Sequence, residues 1–450
     1  MNEIDNDLDL QFKWLQDALD NDNQELFLSR FDELHGYEKA QYYLSLDKEQ
    51  RELVITFLDG QRLAEIFDDI NETEADFHEL LKEIPARKAA AMFNEMYTDN
   101  SVDILETLSP SELSTYLSLM PKADAQEIRE LLNYDDYTAG SLMGTDFISV
   151  SENIEIGSAM KIVKQRANDA EQITYVYVVN SSDILVGVIS LRSLIVESDN
   201  KKVSDFMNTN LITVEPDTDQ EEVARIMQDY NFVALPVVVR GELIGVITVD
   251  DIVDVIQEEA DDDYSRLAGV DVTAEDTPII SALKRLPWLI GLIFLGLGTA
   301  SVINGFDHLI SQVSVLAVFV SLITGTAGNA GTQSLAVSVR KIALDESSGF
   351  LKTLLIEILI GLIVGIASGF VIFLIVIVWK TNMMLAVAVG IAMGVAILVA
   401  NVAGAFIPQF MNKIGVDPAI ASGPFISTMS DLTSVLIYFN IASLFLQHFS

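Results

Sequence analysis

Apolar and polar positions follow three different rhythms along this chain. Over residues 1–135 an apolar residue followed by a turn or capping residue recurs about every 12 positions: Leu46-Asp47, Leu58-Asp59, Ile70-Asn71, Ile84-Pro85, Met96 before Tyr97-Thr98, Leu108-Ser109, Met120-Pro121 and Leu132-Asn133. Asp, Asn, Ser and Thr cap a following helix, and Pro fits its first turn. Helices this short cannot each bury a face alone, so the spacing predicts a stacked superhelical array, an architecture that docks partners more often than it catalyses.

The second rhythm begins near Gly140 and is a repeat. Met143-Gly-Thr-Asp-Phe-Ile-Ser-Val returns as Met207-Asn-Thr-Asn-Leu-Ile-Thr-Val, and Gly187-Val-Ile-Ser-Leu-Arg-Ser-Leu-Ile returns as Gly245-Val-Ile-Thr-Val-Asp-Asp-Ile-Val. Each copy reads strand, helix, apolar strand (175–179; 235–239), turn, strand, helix, with Arg240-Gly241-Glu242 suited to a hairpin. The third rhythm is continuous. Five apolar stretches, 288–306, 313–338, 350–379, 384–410 and 420–447, are each long enough to cross a hydrocarbon core of about 30 Å.

Charge divides the chain at the same place. Before Lys284 there are 60 acidic and 20 basic side chains; from Lys284 onward there are 6 and 7. The acidic part repels nucleic acid and attracts cations. The absence of cysteine excludes disulfides, thiolate metal sites and thiol catalysis. No cleavable leader pattern opens the chain, so the acidic part is expected to stay in the cytoplasm. The few charges flanking the apolar stretches agree. Lys284, Arg285, Arg340, Lys341, Lys352 and Lys413 fall on one side and Lys380 on the other, which predicts a cytoplasmic N-terminus, five spans and an external C-terminus.

Candidate chemistry lies in carboxylates. Asp251, Asp254 and Glu258 share a helical face, with Asp250 beside Asp254, and Glu259, Asp261, Asp262 and Asp263 follow. Like charges this close destabilise a helix unless solvent or a divalent cation offsets them. Oxygen-only donors favour Mg2+ or Ca2+. Inside the apolar stretches polar groups are costly and mark functional surfaces. The second stretch carries Gly325-Thr-Ala-Gly-Asn-Ala-Gly-Thr-Gln-Ser334, which suggests unwound backbone lining a cavity. The fifth carries Asp417-Pro-Ala, Pro424, Thr428, Asp431, Ser434 and Tyr438; Asp431 has a single carboxylate counterpart, Glu357, in the third. Gly361, Gly365 and Gly369, and Gly390 with Gly394, are stripes for close helix packing. No nucleophile–base pair or phosphate loop argues for an enzyme.

The repeat resembles a tandem pair of CBS modules, and the whole chain resembles an MgtE-type magnesium channel. The resemblance rests chiefly on Gly325–Ser334 and on Asp417-Pro-Ala…Pro424…Thr428…Asp431. It implies a multidomain membrane protein: a helical superhelical N domain (1–137), an α/β CBS pair (138–203 and 204–254), an acidic connecting "plug" helix (255–283) and an all-α bundle of five spans (284–450). It further implies a homodimer in the lipid bilayer of a bacterial inner membrane, importing Mg2+ through a pore at the two-fold axis. Carried over by motif position, Asp431 is the pore ligand, with Asn329 and Asp417 beside it. Regulatory Mg2+ falls to Asp99, Asp103, Asp250, Asp251, Asp254, Glu258 and Glu259, whose neutralisation at high cytoplasmic Mg2+ would close the channel. The CBS pair of some members binds ATP; Tyr175, Arg192 and Thr248 stand at the corresponding positions, although the first copy has Ser190-x-x-Ser193 where the second has Thr248-x-x-Asp251. The alternatives are a carrier of Co2+ or Mn2+, a coupled Mg2+ exchanger, or a membrane-anchored nucleotide or Mg2+ sensor without transport.

Overall fold

A computed structural model describes residues 2–70, 75–168, 170–270, 277–343, 349–418 and 421–445, and the chain divides into a unit ending at Gln257 and a unit beginning at Glu258. The first opens with short helices: α1 (Asn2–Asp20), α2 (Gln24–Phe31), α3 (Gly36–Ser45), α4 (Lys48–Phe57), α5 (Gly60–Phe67), α6 (Phe77–Glu83), α7 (Ala86–Phe93), α8 (Thr98–Glu106), α9 (Pro110–Leu119) and α10 (Lys122–Leu131). The 12-residue rhythm is their punctuation. Asp47 and Asp59 accept from the backbone N–H three residues on, and Ser109 closes a capping box with Glu112 before Pro110. The apolar partners turn inward: Leu46, Leu58, Ile70, Ile84, Met96, Leu108 and Met120 are buried, while Leu132 is half-buried. Asn71, the cap expected after Ile70, lies outside the described residues. Arg51 bridges α4 to α6 by paired bonds of 2.8 and 2.9 Å to Glu83, fixing the stacking of successive turns.

The repeat follows as α11 (Ala139–Leu142), β1 (Ser149–Ser151), α12 (Ile156–Arg166), β2 (Tyr175–Val179), β3 (Leu185–Ser190) and α13 (Leu191–Val196). The second copy holds α14 (Gln220–Tyr230), β4 (Ala234–Val239) and β5 (Glu242–Thr248). In the first sheet β1 runs parallel and β3 antiparallel to β2; β4 and β5 form an antiparallel hairpin. That hairpin turns on Arg240 and Gly241, both at positive φ, the two-residue turn whose twist matches the strands. The leading strand expected in the second copy reduces to one parallel bridge, Val214 to Val237.

The two copies exchange their leading segments. Gly144 bridges to Val246 of the second sheet, while Asn208 bridges to Val188 of the first. The repeated methionines and glycines account for this swap. A Cβ on Gly245 would lie 2.5 Å from the Met143 sulfur, and one on Gly187 would lie 2.6 Å from that of Met207. Each methionine fills the space that the other copy's glycine leaves.

Helix α15 (Val249–Ala268) leaves β5 and carries into the second unit. It ends at Gly269, at φ +70°, and residues 278–283, expected to belong to the connecting helix, are the first turns of α16 (Pro278–Gly305). Thr277 caps α16 and Pro278 occupies its first turn, so the helix starts ten residues before the apolar stretch. After α17 (Asp307–Gln312) come α18 (Leu316–Ala343), α19 (Phe350–Lys380), α20 (Met383–Lys413) and α21 (Gly423–Leu444). Among the described residues α16, α19, α20 and α21 are long and apolar enough to cross a membrane. Helix α18 is equally long and carries the polar stretch.

The unwound backbone expected at Gly325–Ser334 is not there: the segment is continuous α-helix. Its glycines serve close packing instead. A Cβ on Gly331 would lie 2.9 Å from Ser430 Oγ and 3.3 Å from the Ala400 carbonyl, and one on Gly404 of α20 would lie 2.2 Å from the Gly331 carbonyl. The glycine stripes of α19 and α20 meet in the same way, with a Cβ on Gly365 or Gly369 falling 2.5 Å from the carbonyl of Gly394 or Gly390.

Candidate ion sites

In the first unit three carboxylates from distant parts of the sequence converge. Asp99 sits in the first turn of α8 and is buried. Asp251 sits in the first turn of α15, where it accepts from the Thr248 hydroxyl (2.6 Å) and backbone N–H (3.2 Å). Glu171 comes from the irregular segment between α12 and β2, held by its N–H to the Asp146 carbonyl. One oxygen from each lies within 4.8 Å of the others. Gly144 leaves them room: a Cβ there would approach Glu171 Oε2 to 3.2 Å and Asp99 Oδ2 to 3.3 Å.

A second tier holds α8 in place. Asp146 accepts from the Thr98 N–H (2.8 Å) and hydroxyl (2.6 Å), and Asp68 from the Tyr97 N–H and the Asn100 amide. Without a cation the arrangement is electrostatically strained. Burial, followed by the charge of Asp251, pushes Glu171 up to about 8. Burial also lifts Asp251 to about 6 and Asp68 to about 7, and raises Asp99, which also faces Asp251 and Glu171, well above the usual carboxylate range. Three hard oxygens without histidine or cysteine fit Mg2+ or Ca2+.

Asp99 and Asp251, both expected as sensor residues, are thus brought together, and Glu171 is a third carboxylate beside them that no motif announced. Asp103 is exposed one turn along α8; Asp250, Asp254 and Glu258 are exposed and Glu259 half-buried along α15. Of the positions singled out for a nucleotide, Tyr175 is half-buried at the start of β2 and Arg192 is exposed, but Thr248 is buried and its hydroxyl is already given to Asp251. In the first copy Ser190 and Ser193 repeat that local cap with neutral groups.

In the second unit α18 and α21 set Asp431 against bare backbone. A Cβ on Gly328 would lie 2.8 Å from Ser427 Oγ and 3.5 Å from Asp431 Oδ1. Asn329, the next residue, is exposed on α18. Ser434 and Tyr438 on α21 are buried, and the Tyr438 hydroxyl donates to the Leu316 carbonyl at 2.9 Å, tying α21 to the start of α18. Among the described residues Asp431 has neither a hydrogen-bond donor nor a basic partner, and it is only half-buried. Asp417 is differently placed. It precedes α21 and pairs with Arg266 near the end of α15, with Asp262 at 3.1 Å and Asp263 also close by.

Comparison with known proteins agrees with this architecture throughout. Family models match the intracellular N domain of MgtE at residues 34–137, the CBS domain at 139–199 and 203–258, and MgtE, a divalent cation transporter, at 320–441. The magnesium transporter MgtE of Enterococcus faecalis is 49% identical over 98% of this chain and 99% of its own. Among solved structures, the soluble part of a magnesium transporter is 44% identical with a TM-score of 0.55, covering 56% of this chain and 99% of that one. The cytosolic domain of the Mg2+ channel MgtE in complex with ATP is 33% identical with a TM-score of 0.50, covering 54% and 99%. Near-full-length similarity to a named transporter, over an apolar helical bundle that sets a lone carboxylate against a glycine-rich helix, leaves one assignment: the chain belongs to the MgtE family of divalent cation transporters.

Proposed function

We propose that this chain carries Mg2+ across a bacterial inner membrane, with Asp431 in the ion's path and the carboxylates of the first unit reading cytoplasmic Mg2+. The observation that carries the reading is Asp431. Within a bundle where a carboxylate is expensive, it has no hydrogen-bond donor or basic partner among the described residues and lies beside the backbone of Gly328. Mg2+ gives up its water reluctantly, so a carboxylate acting through that water attracts the ion without trapping it. Asn329 lies on the same turn of α18 as Gly328 and is a second polar group for a hydrated ion.

Helix α16 buries none of its residues, which leaves an apolar face for lipid or a second copy. A homodimer would place two Asp431 side chains about one axis. Regulation follows from the other cluster. Asp99, Glu171 and Asp251 repel one another until a divalent cation neutralises them, so high Mg2+ favours the packed first unit and the closed channel. Asp103, Asp250 and Asp254 add to the acidic surface of the first unit, and Glu258 and Glu259 continue the run along α15. ATP at the CBS pair is supported by the relative's complex, with Tyr175 and Arg192 as the reachable contacts here.

The test is uptake into proteoliposomes that contain a Mg2+-sensitive dye, with Mg2+, Mn2+ or Co2+ outside and Mg2+ titrated on the face of the first unit. Mg2+ uptake that falls as that titration rises supports the proposal. Equal or greater uptake of Mn2+ or Co2+ would reassign the cargo, and uptake indifferent to the titration would remove the sensor.

A further inference from the structure

The second unit holds another carboxylate, Glu357, whose surroundings are the opposite of those of Asp431. On α19 the buried residues Thr353, Glu357, Gly361, Gly365, Gly369, Ile372 and Val376 form one stripe, and Glu357 continues the glycine seam toward the cytoplasmic end. Its side chain is 2% exposed. Glu357 Oε2 accepts from Ser334 Oγ of α18 at 3.0 Å and from Asn401 Nδ2 of α20 at 3.2 Å, and Ser334 Oγ also reaches the Asn401 carbonyl at 2.8 Å. Its other oxygen faces Lys341 Nζ, near the end of α18, at 3.9 Å.

We infer that Glu357 is the positioning residue for the pore-lining stretch of α18, locking the register of that helix through Ser334 and Asn401. This rests on the reading of Asp431 as the pore ligand. The argument starts from what α18 lacks. Around Gly328 it is built of Gly325, Ala327, Gly328, Ala330 and Gly331, a smooth surface that packs closely but offers little resistance to sliding along its neighbours. Directional bonds supply what shape does not. A buried carboxylate is costly unless its lone pairs are met, so the helices are held where Ser334 and Asn401 meet them. Ser334 lies less than two turns from Gly328, and the rise of the helix carries that register directly to the backbone opposite Asp431.

The chain has no cysteine, so single thiols can report on this geometry without any flux. Asn329→Cys on α18 and Asn440→Cys near the outer end of α21 are both exposed sites, and their modification rates by a charged methanethiosulfonate are measured in the full chain in liposomes. With Glu357→Ala added, the rate at position 329 should change about fivefold or more, as expected for a lost buried hydrogen bond, while that at 440 holds. Glu357→Gln, which keeps an acceptor oxygen, should restore it. An unchanged rate at 329, an equal change at both sites, or a failure of Gln to restore would overturn the inference. Mg2+ uptake by Asp431→Asn is measured in parallel. If that variant conducts normally while the thiol rates shift as described, the pore reading fails and the register lock stands.

Discussion

Replacing Glu171 by Gln removes one of three clustered carboxylates at nearly constant volume, and its effect should reverse sign with Mg2+. In the ion-free protein Glu171 and Asp251 bind protons more tightly than the unfolded chain does. Their contribution to stability is therefore present below the ordinary carboxylate range, and it is lost as pH rises through about 6 for Asp251 and about 8 for Glu171. A rise from 4.5 to about 8 corresponds to roughly 5 kcal/mol if Glu171 titrated alone. Most of that is the cost of burying the charge, and the repulsion is shared with Asp251, so removing the charge should return about 2 kcal/mol at pH 8. For a unit of this size that is a rise of about 4–8 °C in Tm. Calorimetry of the full chain in detergent without divalent cations should show Glu171→Gln melting higher than wild type at pH 8 and equal to it near pH 5. Saturating Mg2+, worth about 2.7 kcal/mol at a hundredfold excess over Kd, should stabilise wild type far more than the variant. Equal melting of the two proteins at pH 8, or an equal response to Mg2+, would refute the placement of these three carboxylates around one ion.

Other outcomes follow from the same structure. Gly369→Leu should cost about 1–3 kcal/mol of bundle stability, because its side chain would enter the space of the Gly390 carbonyl; a Tm in detergent within a degree of wild type would show that α19 and α20 do not meet there. Arg266→Ala removes the ion pairs that Arg266 makes with Asp417 and Asp262. The pairs are partly exposed, so the Mg2+ concentration that suppresses uptake should rise only about two- to fivefold, and a larger shift or a fall would contradict this reading. Tyr438→Phe removes the hydroxyl that ties α21 to the Leu316 carbonyl and should cost about 1 kcal/mol of stability, read as a lower Tm in the same melts.

The local features of this fold are written locally. A buried apolar residue next to a cap every dozen positions is enough to set out α4, α5 and α9, and Arg240-Gly241 states its own turn. The five long helices are likewise legible from their apolar runs. What the sequence hides are meetings between distant residues. Glu171 belongs to no motif and becomes a candidate only because the chain brings it to Asp99 and Asp251. The pairing of Asp417 is hidden in the same way, since its partner Arg266 precedes it by most of the second unit. Helix α18 departs from the expected unwound backbone for a related reason. Glycine and threonine in an apolar run suit either broken backbone or close helix packing, and only the small residues facing them, Ala400, Gly404 and Ser430, decide between the two. Glu357 and Asp431 look alike along the chain, yet among the described residues one accepts from Ser334 and Asn401 and the other has no hydrogen-bond donor.

That contrast makes Asp431→Ala the most direct test. The variant and wild type, reconstituted at equal density in liposomes loaded with a Mg2+-sensitive dye, are compared for initial Mg2+ influx at low Mg2+ on the face of the first unit. The account predicts influx near the protein-free baseline for a variant that still elutes and melts like wild type. Wild-type influx through Asp431→Ala would contradict it.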